Sequence, residues 1–277
     1  MSSQPNSNPD AAPWCDKHGC AHERLVWGVS AEHIGGAFSC PKCDAETAAR
    51  AVAEAGREHD DMRRREAARQ KRAALESRIG AACIPARFAD YSFDTFPAAN
   101  DRARTVCQQL RTYANRWQSM KTKGISVLLI GTQGTGKTGL SISVANHVIN
   151  VENGTAMFMS AYGAVRHQRD TWGRRGRTER EALDDLLAPD LLVLDEVGAS
   201  TGTDGETAML FEVLNGRYAE RKPTILLSNL PMEDYESPTG KRPGLRTTLG
   251  PRVIDRFRDD GGFTVACDWP SLRGVRA

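Results

Sequence analysis

The stretch from Leu128 to Leu140, LLIGTQGTGKTGL, constrains this chain more than any other. Val127, Leu128, Leu129 and Ile130 form an apolar run that predicts a buried strand. The run breaks into Gly131, Thr132, Gln133, Gly134, Thr135, Gly136, Lys137 and Thr138, then continues through Gly139 as a helical pattern. This is G-x-x-x-x-G-K-[ST] between a strand and a helix, the context that gives the motif its physical meaning. Glycine permits backbone torsions that other residues resist. The loop amides and the helix N-terminus then converge on an anion. Lys137 is expected at the β- and γ-phosphates of ATP, and the Thr138 hydroxyl on Mg²⁺.

From Ile125 onward, short apolar runs alternate with helical patterns. The runs 126–130, 156–160, 191–195, 224–228 and 263–267 predict strands. This alternation predicts an α/β fold with a parallel sheet between helices. Ligands of such sheets sit at the carboxyl ends of the strands, where the remaining chemistry-bearing residues fall. The run 191–194 ends in Asp195 and Glu196, about sixty residues after the phosphate loop. Asp195 is expected to hold Mg²⁺, usually through water, and Glu196 to act as general base. Ser228 and Asn229 end the next strand, where Asn229 can orient the lytic water. The segment GPRVIDRFRDD reads as a helix with Val253 and Phe257 on its buried side. Arg252 and Arg256 share another face by the same spacing, and arginine there could reach a neighbouring subunit's γ-phosphate.

The chain has 277 residues and a formal net charge of +2, so its overall charge names no partner. No apolar run is long enough to span a membrane. Residues 1–13 are polar and Pro-rich, resemble no secretion signal, and are expected to be a disordered tail. Four of the seven cysteines lie between residues 15 and 43. With a cytoplasmic location expected, such a cluster favours metal over disulfides. Cys15 and His18 repeat the two-residue spacer of Cys40 and Cys43, which predicts a Zn²⁺ site over residues 14–46; Cys20 competes with His18 as the second ligand. Residues 47–83 read as a helical linker. The helical pattern itself covers 44–79, as one helix or as two broken near Gly56. Phe88, Tyr91, Phe93 and Phe96 follow, read as packing residues at the head of a domain over 84–277, and a helix is expected near 99–121. Arg166, Arg169, Arg174 and Arg175 surround Trp172, a composition suited to a phosphate backbone with base stacking.

Beyond the phosphate loop, several pieces carry a family resemblance. They are Ile84-Pro85-Ala86-Arg87-Phe88, the Asp170-Thr171-Trp172 segment, LLVLDEVG, Ser228-Asn229-Leu230, LGPRVIDRFR and Trp269-Pro270-Ser271-Leu272-Arg273. Over roughly 84–275 the chain resembles the DnaC-type replicative helicase loaders and, more distantly, IstB-type transposition ATPases, both of the AAA+ class. The resemblance implies an ATP-hydrolysing AAA+ domain behind a zinc module that grips a replicative helicase, with single-stranded DNA handled by the ATPase and subunits assembling on helicase or DNA. It makes Asn229 the sensor I residue, Arg256 the arginine finger, Arg252 its helper and Arg273 the sensor II arginine. Few residues follow Arg273, so the helical lid of many AAA+ proteins is not expected. Two other readings remain: a transposase-partner ATPase, and a zinc-and-helix adaptor whose ATPase is vestigial.

Overall fold

A computed structural model describes residues 14–21, 23–27, 35–171, 177–199, 204–238 and 240–272. The chain divides into two compact units, Met1–Lys71 and Arg72–Ala277.

The first unit opens with two small antiparallel pairs. β1 (Trp14–Cys15) pairs with β2 (Cys20–Ala21), and β3 (Glu23–Trp27) with β4 (Gly35–Ser39). α1 (Pro41–Ala81) follows and runs unbroken through Gly56. Proline opens it at the position where its missing N–H costs nothing. One interior glycine costs about 1 kcal/mol relative to alanine, and the Ala-, Glu- and Arg-rich surroundings carry the helix across it. Every residue from 44 to 74 is exposed. Such a helix is supported by its own side-chain pairs, as in Gln70 donating to Glu66 and Arg72 to Glu76.

In the second unit, a short 3₁₀ turn (Ala86–Phe88) leads to α2 (Asp101–Asn115), capped by the Asn100 side chain, which accepts from the Ala103 amide at 2.8 Å. α3 (Trp117–Lys123) follows directly. One helix was expected here; it breaks at Arg116, and Trp117 just beyond is 1% exposed, edge-on to Tyr113. Then come β5 (Val127–Gly131), α4 (Lys137–Asn150), β6 (Ala156–Ser160), α5 (Ala161–Arg169), α6 (Glu179–Leu187), β7 (Leu191–Asp195), α7 (Asp204–Ala219) and β8 (Thr224–Ser228). A hairpin of β9 (Tyr235–Ser237) and β10 (Gly240–Arg242), α8 (Leu245–Leu249), α9 (Pro251–Arg258) and β11 (Phe263–Cys267) complete the order.

The five long strands are parallel in the order β11-β5-β8-β7-β6. Both faces are covered, so the central strands are apolar between their end residues, and alternate residues part to opposite cores. Val127, Leu129, Leu191, Val193, Ile225 and Leu227 pack with α2 and α4. Leu128, Leu192, Leu194 and Leu226 pack with α5, α6, α7 and α9. Burying each leucine contributes about 1.5–3 kcal/mol. This order places β8 between the phosphate-loop strand and the strand ending in Asp195, so Asn229 emerges between the loop and the two acids.

At the opposite, amino ends of β7 and β8, Arg217 of α7 is wholly buried. Its guanidinium donates to the carbonyls of Leu186 at 2.9 Å, Pro189 at 3.0 Å and Pro223 at 2.8 Å, and to Thr224 Oγ1 at 2.9 Å. Burial pushes it down to about 9, so it stays charged at neutral pH.

Candidate functional site

The phosphate loop closes on itself through Lys137. Its Nζ donates to the carbonyls of Gly131 and Thr132 and to Asn229 Oδ1, each at 2.8 Å. Burial lowers the Lys137 pKa, so an incoming anion would restore favourable surroundings to this cation. Thr138 Oγ1 donates to Asp195 Oδ2 at 2.7 Å, and Asp195 Oδ1 accepts from the Glu196 amide at 2.7 Å. The motifs on β5, β7 and β8 thus meet in one hydrogen-bonded cluster. A hydroxyl beside a carboxylate is a hard-oxygen pair of the kind Mg²⁺ takes, and the exposed Glu196 carboxylate stands next to it.

Two glycines are fixed by close approach. A Cβ on Gly131 would lie 2.1 Å from the Cys267 carbonyl oxygen, and one on Gly136, where φ is +87°, would lie 2.6 Å from the Phe96 ring. The segment after β11 ties down the same loop. Trp269 Nε1 donates to the Thr135 carbonyl at 3.0 Å, and the Leu272 amide to the Gly134 carbonyl at 2.8 Å. Burial pushes the neighbouring Cys267 thiol up to about 12, which keeps it neutral.

Glu196 has φ of +59°, the left-handed region that disfavours side chains. The turn is held from both sides. The Val197 amide donates to the Leu227 carbonyl at 2.9 Å, while the Ser228 hydroxyl donates to the Val197 carbonyl at 2.7 Å.

A cleft of about 410 Å³ joins these groups to a second wall. Gln133, Gly134, Gly136, Lys137, Thr138, Gly139, Asp195, Glu196 and Asn229 form the polar side. Arg87, Phe88, Tyr91, Phe96, Pro97 and Leu272 form the other. Reading all four aromatic residues as packing therefore needs correction: Phe93 and Phe96 are buried, but Phe88, Tyr91 and Phe96 also wall the cleft. The signal available in the sequence was a ring cluster just upstream of a phosphate loop.

Other expected residues lie elsewhere. Arg256 is half-buried on α9, donates to Asn215 Oδ1, and stacks over Tyr218 at 5.2 Å and Phe211 at 6.0 Å. Arg252 is exposed. Neither lines the cleft of its own chain. Arg166 pairs with Asp170 at 3.8 Å and Arg169 with Glu206 at 3.1 Å, so these two guanidinium groups are already matched by carboxylates and do not form an uncompensated basic face. Trp172, Arg174, Arg175 and Arg273 lie outside the described residues.

In the first unit, the ligand atoms of Cys15, His18, Cys40 and Cys43 lie within 4.8 Å of one another. His18 Nδ1 is 3.7, 3.5 and 3.3 Å from the sulfurs of Cys15, Cys40 and Cys43, and the Cys15 and Cys43 sulfurs are 3.9 Å apart. Ligands at zinc distances from a tetrahedral centre sit about 3.3–3.8 Å from one another, so the donor set fits zinc. His18 Nε2 faces Glu46 Oε1 at 3.0 Å, the outer partner that orients a metal-bound imidazole. Lys17 and His18 hold the Glu46 carboxyl down at about 2. Backbone amides of the first turn of α1, led by that of Cys43, hold the Cys40 thiol down at about 6. Cys20 approaches Cys40 at 3.4 Å but is not one of the four mutually close ligands.

The strand order and the cluster at its carboxyl edge define a P-loop nucleotide-binding domain. Within that class the chain belongs to the IstB-like ATP binding protein family, whose pattern matches residues 47–257. A replicative helicase loader DnaC of Buchnera aphidicola subsp. Acyrthosiphon pisum is 27% identical over 196 residues, covering 70% of this chain and 74% of that protein. The DnaC loader of Escherichia coli strain K12 is 28% identical over 148 residues, covering 53% of this chain and 56% of that one. The fold is similar to a crystal structure of the DnaC helicase loader, with a TM-score of 0.54 at 18% identity over 66% of this chain and 99% of that one. It is also similar to a crystal structure of DnaI, with a TM-score of 0.51 at 18% identity over 68% of this chain and 94% of that one. Among the described residues no helix is long and apolar enough to cross a membrane.

Proposed function

We propose that this chain is an ATP-hydrolysing loader that places a replicative DNA helicase on single-stranded DNA in the cytoplasm. The observation that carries the chemistry is the cluster joining Lys137, Asn229, Thr138 and Asp195 beside Glu196. The loader role is supported by relatives bearing that name. Lys137 would neutralise phosphate charge, and Thr138 and Asp195 would hold Mg²⁺. When bound, that ion supplies Lewis-acid stabilisation of the phosphate oxygens. Glu196 takes the proton of the attacking water, which Asn229 orients. Arg256, which does not line its own cleft, would serve a neighbouring copy, with Arg252 beside it and Arg273 as a further γ-phosphate contact. Cys15, His18, Cys40 and Cys43 would hold one structural Zn²⁺ in a module over 14–46, ahead of a linker helix and an ATPase domain from residue 84.

The experiment is co-purification of the intact protein with a replicative helicase, followed by ATPase assay with and without single-stranded DNA. Recovery of the helicase and DNA-stimulated hydrolysis are expected. The family match favours one second reading, a DNA-targeting partner of a transposase. Recovery of a transposase in place of the helicase would decide for it.

A further inference from the structure

The first unit carries a concentration of charge that the cleft does not use. Between residues 63 and 71, α1 holds Arg63, Arg64, Arg65, Arg69 and Lys71 against one carboxylate, Glu66. Glu66 is engaged by Gln70 at 3.1 Å. None of the five cations has an ion pair among the described residues, and all are exposed. This contrasts with Arg166 and Arg169, each matched by a carboxylate. At 3.6 residues per turn the five cations spread over about 240° of the helix circumference and about 12 Å of its length. Four acids, Glu54, Glu58, Asp60 and Asp61, precede the stretch and bound it on the N-terminal side.

We propose that residues 63–71 of α1 bind the phosphodiester backbone of DNA. This rests on the reading of the protein as a DNA-handling loader and assigns the contact to a surface outside the ATPase cleft. An acidic protein partner is the weaker fit. Protein interfaces draw their affinity from buried apolar and aromatic anchors, and Met62 is the only large apolar residue from 53 to 74. A polyanion needs no such anchor, because release of its condensed counterions supplies the affinity. The absence of any aromatic residue from 41 to 81 also removes base stacking. Binding through this surface is therefore insensitive to base sequence and strongly dependent on salt.

The test uses the full chain and two fluorescent oligonucleotides, one single-stranded and one duplex, titrated by anisotropy across a series of salt concentrations. The variant is Arg65→Ala/Arg69→Ala/Lys71→Ala. Alanine keeps helix propensity high, and circular dichroism with zinc analysis checks that the unit is intact. Each lost phosphate contact should make the slope of log K against log salt shallower by about 0.9 for duplex or about 0.7 for single strands. The triple variant should flatten the slope by about 2 for single strands or about 3 for duplex and weaken binding at low salt about tenfold or more. Whichever oligonucleotide shows this change is the form bound. An unchanged slope and affinity in the variant, with the wild type binding DNA, would overturn the assignment while leaving the loader reading in place. Loss of helicase co-purification with unchanged DNA binding would overturn it in favour of a protein contact. A wild type that binds neither oligonucleotide would sink the DNA-handling reading and this inference together.

Discussion

Replacing Arg217 by methionine tests whether the roots of the two site-bearing strands are held by one buried cation. Its guanidinium serves Leu186, Pro189, Pro223 and Thr224 within 3.0 Å, groups that lead into β7 and β8. Methionine fills much of the volume but removes four hydrogen bonds at once, although the Pro223 carbonyl keeps the Leu192 amide at 3.3 Å and the Thr224 hydroxyl still donates to the Lys222 carbonyl. An unsatisfied buried polar group costs about 1–3 kcal/mol. Taking about 1 kcal/mol for each of four lost hydrogen bonds, since relaxation and remaining partners recover part of the loss, the variant should be destabilised by about 4 kcal/mol. In a unit of this size that lowers the midpoint of thermal unfolding by about 8–16 °C. Lysine has only three donors and a single nitrogen, so Arg217→Lys should lose about half as much, roughly 2 kcal/mol. Urea unfolding followed by tryptophan fluorescence measures both. There is a competing expectation, because buried charges can be replaced by apolar residues at no net cost. Arg217→Met within about 1 kcal/mol of wild type would show that desolvation cancels the network, and would refute the reasoning.

Lys137→Ala is expected to abolish nucleotide binding, whereas Glu196→Gln should bind ATP normally and stop turnover; full turnover by Glu196→Gln would remove it as the base. Elemental analysis should find one zinc per chain, and His18→Ala should release it; retention in His18→Ala with loss in Cys20→Ser would exchange the two as ligands. Arg256→Ala should slow hydrolysis about 10³-fold. Mixing it with Lys137→Ala should restore activity at interfaces that pair an intact Lys137 with a neighbour's Arg256. A mixture as inactive as its parents, with assembly intact, would place Arg256 outside the neighbour's site.

The parallel sheet was readable because its central strands are buried on both faces. Leu191–Leu194 and Ile225–Leu227 are wholly apolar, and polarity returns at Asp195 and Ser228, where the site begins. The cleft's polar wall was readable for a related reason, since its groups end a strand or lie in the turn, loop or helix start that follows one. The opposite wall was not, because Phe88, Tyr91 and Phe96 look alike whether a ring packs inward or faces a ligand. Periodicity also misjudged the helix expected near 99–121, whose break at Arg116 goes with the burial of Trp117. Arg166 with Asp170 is a local i,i+4 pair open to reading, but the pairing of Arg169 escaped for want of distance information. Glu206 lies far along the chain from Arg169, and only the packing of α5 against α7 brings them together. Arg217 gave no sign at all, since a lone arginine in a helix ordinarily reads as surface.

The left-handed backbone of Glu196 bears on how this sequence can drift. A non-glycine residue in that conformation costs on the order of 1–3 kcal/mol, and glycine would recover part of it. With Glu196 as the proposed base, selection for turnover would oppose selection for stability at this one codon. In a lineage that ceased to need hydrolysis, position 196 would be among the first to change. Glycine or asparagine would accumulate there while Lys137 and Thr138 still bound nucleotide. Glycine at that place in a relative would mark a nucleotide switch that has given up catalysis.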